Sequence, residues 1–91
     1  MIKMFTEQAW QDYLYWQQHD KAVLRRVNKL IKNIEQNPYE GIGKPEELKY
    51  ALSGCWSRRI TQEHRLIYAI IAEQKKEKQL LILSARTHYQ H

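Results

Sequence analysis

The chain has 91 residues, a formal net charge of +5 and a sequence pI near 9.4, with 43% hydrophobic and 27% charged residues. That composition excludes a disordered tail and fits one domain just large enough to bury a core unaided. The single cysteine, Cys55, excludes an intramolecular disulfide and a cysteine-only metal site, and no apolar run approaches the ~20 residues that span a bilayer.

Residues 1–10, MIKMFTEQAW, lack the apolar core of a signal peptide, so a cytoplasmic protein without membrane contact is expected. Ile2–Phe5 is a first short strand. Thr6 stands as an N-cap with Glu7 in the first turn, and a helix runs to about His19. Trp10, Tyr13 and Leu14 form its apolar row, at i, i+3 and i+4. The surplus aromatics Tyr15 and Trp16 are expected in a second contact, such as a dimer interface. Asp20 caps a second helix in which Val23, Leu24, Val27, Leu30, Ile31 and Ile34 recur at spacings of three and four. Its other face carries Lys21, Arg25, Arg26, Lys29 and Lys32, which reads as a solvated face or as a docking surface for RNA backbone. Asn37-Pro38 ends this helix.

Residues 38–45, PYEGIGKP, form a connector; its two glycines do not make a P-loop, since no GK[ST] follows. From Leu48 the pattern changes to strands: 48–51, 55–60, 65–72 and 79–86, with a turn at Ser53-Gly54 and a charged hairpin over 73–78. Two helices followed by antiparallel strands predict an α+β fold, in which both helices pack on a four- to five-stranded antiparallel sheet. The stretch 44–68 interleaves Lys44, Lys49, Arg58, Arg59 and Arg65 with strand formers. These cations are therefore expected on a sheet face suited to a phosphate-rich partner.

The segments WQDYLYW (10–16), GKPE (43–46), LSGCWSRRI (52–60), EHRLIY (63–68) and HY (88–89) occur in order across nearly the whole chain. Together they resemble the YoeB branch of the RelE/ParE superfamily of bacterial toxins. The resemblance implies a RelE-like single domain over 1–91 and a toxin of a type II toxin–antitoxin system. It also implies a ribosome-dependent endoribonuclease that cuts messenger RNA at the A-site codon and so inhibits translation. The implied partners are a YefM-like antitoxin, the 70S ribosome with its message, and a second copy of the chain; no cofactor and no metal are implied. The sequence departs from the family pattern in a longer 73–78 hairpin, in two residues beyond Tyr89, and in Cys55 where a larger apolar residue is expected.

RNA carries its own nucleophile, because the 2′-hydroxyl attacks the adjacent phosphate to leave a 2′,3′-cyclic phosphate. The protein must take the 2′-proton, give one to the 5′-oxygen and stabilise the phosphorane. By resemblance Glu46 is the general base, His88 the general acid and Arg65 the charge stabiliser. Lys49 and Arg59 place the RNA backbone, and Tyr89 orients RNA or His88. Apart from the resemblance, Glu46 and His88 read as solvated groups, and Arg59 and Arg65 as a charged sheet face paired with Glu47 and Glu63. Glu47 adjoins Glu46, and spacing does not separate them as base. The alternatives are a toxin of the same fold that poisons a protein such as DNA gyrase without nuclease activity, and a non-catalytic binding module. The gyrase poison needs no acid–base pair, which the presence of Glu46 and His88 disfavours.

Overall fold

The computed structural model describes residues 1–72 and 77–87, so most of the expected charged hairpin (73–76) and the terminal His88 to His91 lie outside the described residues. The order of elements is β1 (Ile2–Phe5), α1 (Glu7–His19), α2 (Lys21–Gln36), β2 (Glu46–Glu47), a 3-10 turn (Tyr50–Leu52), β3 (Trp56–Arg59), β4 (Arg65–Ile71) and β5 (Gln79–Ser84). Both helices begin where their caps predict. The Thr6 hydroxyl accepts from Ala9 N, and the Asp20 carboxylate accepts from Ala22 N and Val23 N.

The strands form one sheet in the order β1-β5-β4-β3-β2, with two helices packed against it. The sheet is mixed. β2, β3, β4 and β5 pair antiparallel, but β1 pairs parallel to β5, matching Ile2 to Gln79 and Phe5 to Ile82. Alternation alone does not show this, because a strand looks the same to its sequence whichever way its neighbour runs. The chain leaves β1 through both helices and returns to the far edge, so β1 meets β5 only through tertiary packing.

α2 buries Val27, Leu30, Ile31 and Ile34, as its periodicity predicts. These meet Leu66, Tyr68, Leu80 and Ile82 from the sheet, each fully buried. Burying such a side chain contributes about 1.5–3 kcal/mol, so this seam is the main source of stability.

α1 departs from its expected face. Its buried residues are Ala9, Asp12 and Trp16, whereas Trp10 is 45% exposed. Trp10 instead stacks on Tyr13 at 5.8 Å, with the Phe5 ring edge-on to both. Trp16, expected in a second contact, is a core residue whose indole N–H donates to Ala85 O at 2.6 Å. The reason is the buried carboxylate of Asp12, which accepts from Ala85 N at 2.9 Å and turns the 9-12-16 row toward the end of β5. An apolar count does not find a row built on an aspartate.

The expected strand at 48–51 is also displaced. The pairing lies at Glu46–Glu47, extended by a bond from Leu48 N to Cys55 O, and Tyr50 then takes φ +59° to enter the 3-10 turn. A chain that must reverse from Leu48 to Cys55 has no length left for a longer strand.

Candidate active site

The loop that delivers Glu46 is built around Arg58. This side chain is fully buried, and all five of its N–H groups find acceptors. Nε donates to the Tyr68 hydroxyl, Nη1 to Asn33 Oδ1 and Ile42 O, and Nη2 to Asn37 O and Glu40 O, at 2.6–3.1 Å. No ion pair to Arg58 occurs among the described residues, so carbonyl dipoles carry the charge. The sequence pattern places Arg58 among cations displayed on the sheet. Strand alternation with Trp56 instead turns it into the interior, where it fixes residues 37–42. Tyr68 closes the same knot by donating to Pro38 O at 2.6 Å, and burial pushes its phenol upward, against the opposing pull of Arg58.

Both glycines of the loop are required by this packing. A Cβ on Gly41, at φ +126°, would collide with Asn33 Oδ1; one on Gly43, at φ +80°, would lie 2.8 Å from Leu30 Cδ2. The Arg59 N–H then donates to Gly43 O, which brings the loop onto β3 three residues before Glu46.

From there strand register sets the geometry. Glu46 pairs with Ser57, Ser57 with Ile67, and Arg59 with Arg65. Side chains directly opposite share a face, so Glu46, Ser57, Arg59, Arg65 and Ile67 lie on the face turned away from the helices. Glu46 sits diagonal to Arg59, roughly 7–8 Å between Cα atoms by ideal pairing. Glu47, one residue on, belongs to the opposite face. Two arginines directly across a ladder repel each other, an arrangement that favours an anion between or above them. Arg65 is already oriented: Nη1 donates to Thr61 O, Gln62 O and His64 O at 2.9–3.1 Å, which leaves the Nε and Nη2 edge of the fork for phosphate oxygens. Lys49 is exposed at the N-cap of the 3-10 turn, two residues beyond the end of β2.

The expected acid, His88, and Tyr89 lie outside the described residues, but the backbone leading to them is held from three elements. Asp12 and Trp16 of α1 bond Ala85, His64 Nδ1 meets Arg86 O at 2.8 Å, and the Arg65 N–H donates to Thr87 O at 3.1 Å. Since a carbonyl only accepts, Nδ1 of His64 carries the proton. The Arg86 guanidinium lies 3.5 Å over the Tyr15 ring, and the His64 ring stands edge-on to Trp16. Sequence reasoning assigns His64 and Asp12 no part in the site. The only signal for either is a titratable side chain whose partners, at positions 85 and 86, are far along the chain. Cys55 is partly covered, and desolvation raises its thiol above the ordinary value, which disfavours the thiolate.

A family model described as the YoeB-like toxin of bacterial type II toxin–antitoxin systems matches residues 5–89. The chain belongs to this toxin family. It is 51% identical to toxin YoeB of Escherichia coli strain K12 over 89 residues, covering 98% of this chain and 100% of that one. Among solved structures, a YoeB/ParE toxin from Agrobacterium tumefaciens superposes with a TM-score of 0.92 at 39% identity, over 98% of this chain and 100% of its own. YoeB from Staphylococcus aureus, at 43% identity and 98% coverage of both chains, was solved as a dimer (TM-score 0.86) and in a heterotetrameric YoeB–YefM complex (TM-score 0.84). YoeB-family membership thus rests on nearly the full length of the chain, with both helices inside the matched region.

Proposed function

We propose that this toxin is a ribosome-dependent endoribonuclease that cuts messenger RNA at the A-site codon by attack of the RNA's own 2′-hydroxyl. The observation that carries the reading is the shared face of Glu46, Arg59 and Arg65, a carboxylate beside two arginines in a member of a toxin family. A carboxylate within reach of a phosphodiester held by arginines can take the 2′-proton while the guanidinium meets charge developing on the phosphorane. Because the nucleophile belongs to the substrate, no metal-activated water is required. Strand alternation favours Glu46 over Glu47 as the base. His88 donates to the leaving 5′-oxygen, with a reference pKa near 6.5 suited to that task, and Tyr89 orients it or the RNA. Lys49 and Arg59 hold the backbone to either side.

The proposed partners are a YefM-like antitoxin, as in the S. aureus complex, the 70S ribosome in the cytoplasm, and a second copy of the chain when the antitoxin is absent. Primer extension on a defined message, with and without programmed ribosomes, tests the reading. Wild type should cut in the A-site codon only with ribosomes, and Glu46→Gln and His88→Ala should each lower the rate about 10²–10⁴-fold. Equal cutting of naked RNA would remove ribosome dependence. Growth arrest that survives both substitutions would point instead to a protein target such as DNA gyrase.

A further inference from the structure

The charges on α2 run against the stability of α2. Lys21 occupies the first turn, which contains no acidic residue, while Glu35 sits in the last turn, which contains no basic one. Both placements oppose the helix macrodipole, although the Asp20 cap offsets the first and a 3.1 Å ion pair with Lys3 offsets the second. Between these ends the like charges are neighbours: Lys21 and Arg25, Arg25 and Lys29 at i, i+4; Arg26 and Lys29, Lys29 and Lys32 at i, i+3. Each such pair weakens a helix. Among the described residues no carboxylate forms an ion pair with any of the five. α1, by contrast, carries Glu7 and Asp12 and no lysine or arginine. A sequence that breaks a local rule repeatedly, on one face of one element, marks a site under another constraint.

Helix geometry says what that constraint fits. Lys21, Arg25, Lys29 and Lys32 are exposed and fall within about 80° of arc, in a strip roughly 16 Å long with a cation every turn. Beside the lower end lies a recess of about 190 Å³ lined by Lys29, Lys32, Asn33, Gln36 and Ile42. Arg26 leaves the strip on its other side and donates to Arg59 O at 3.3 Å, which ties this side of α2 to the backbone of β3.

We propose that the outward face of α2 is a second RNA-binding surface, which grips the phosphate backbone of a folded, A-form RNA helix while the sheet face holds the strand to be cut. The proposal rests on the reading of the toxin as acting on the ribosome, and names the part of that partner α2 touches: ribosomal RNA backbone, met as shape and charge without reading bases. The Gln36 amide at the edge of the recess suits 2′-hydroxyls, which duplex DNA lacks.

The test uses the full chain and the variant Lys21→Gln/Arg25→Gln/Lys29→Gln/Lys32→Gln, with a fluorescently labelled RNA hairpin as probe, across a salt series. Affinity at ~100 mM salt should fall at least tenfold, and the slope of log K against log salt should shrink by about 3–4, one unit for each phosphate no longer neutralised. Thermal stability should stay level or rise, because repulsion is removed. A companion Lys21→Arg/Lys29→Arg/Lys32→Arg variant should keep wild-type affinity. Unchanged affinity and slope, or a variant less stable than wild type, would overturn the proposal. So would loss of binding to a YefM-like antitoxin with hairpin binding intact, which would make the strip a protein-docking face. Message cleavage measured on the same preparations separates this from the nuclease reading. A wild type that binds the hairpin but never cuts sinks only the nuclease, and a variant that cuts and binds like wild type sinks only the strip.

Discussion

At position 58 an arginine sits where a fully buried residue is most often aliphatic, and its five donors explain why it must be arginine. A lysine keeps the charge but offers three donors on a flexible stem, so at least two of the five acceptors around it would lose the donor that Arg58 supplies. At ~1–3 kcal/mol for each of two lost bonds, Arg58→Lys is expected to cost about 2–6 kcal/mol, read as a fall in the midpoint of urea unfolding. A midpoint within error of wild type would show that the loop does not depend on the fork. The two adjacent arginines look alike in sequence. Only the pleat distinguishes them, sending Arg59 to the anion face and Arg58 to the interior, and the pleat can be phased only once Trp56 is known to face the core.

Among the elements, β5 and its continuation depend on contacts the chain makes from far upstream. Ala85 is bonded by Asp12 and Trp16, and Arg86 by His64, so the segment entering His88 is fixed by α1 and by the β3–β4 turn together. If this holds the terminal acid in place, His64→Ala should lower the cleavage rate at saturating ribosomes about tenfold, by misplacement alone. His64→Asn, whose amide can donate from nearly the same point as Nδ1, should recover most of it. In a His88→Ala background the His64→Ala change should have no further effect. Additive losses in the double variant would assign His64 a role unrelated to the acid.

At the scale of the whole molecule, Tyr68 joins the helix layer, the 37–42 loop and the sheet through Pro38 and Arg58. Burial raises its phenol above the reference value of 10.0, so folding favours the protonated form. The sign of the pH dependence follows: this stabilisation is complete below pH 10 and is lost as pH rises through the folded-state value. As pH rises above 10, the melting temperature of wild type should drop more steeply than that of Tyr68→Phe, which has no proton to lose there. Parallel decline in the two proteins would mean that lysines, not Tyr68, set the alkaline limit.

The helix boundaries, the core face of α2, the existence of four of the five strands and the family are all legible in the amino-acid order. Caps, helical period and ordered motifs are local, and each can be read within a window of a dozen residues. Although spacing leaves Glu46 and Glu47 unseparated, the family resemblance also points to Glu46, Arg59 and Arg65, because its motifs fix residue types at those positions. Their shared face, the parallel pairing of β1 with β5, the inward turn of Arg58 and the capture of Ala85 by Asp12 emerge only in the folded chain. Each of these joins residues six to more than seventy positions apart, and one step of strand phase reverses which side chains meet.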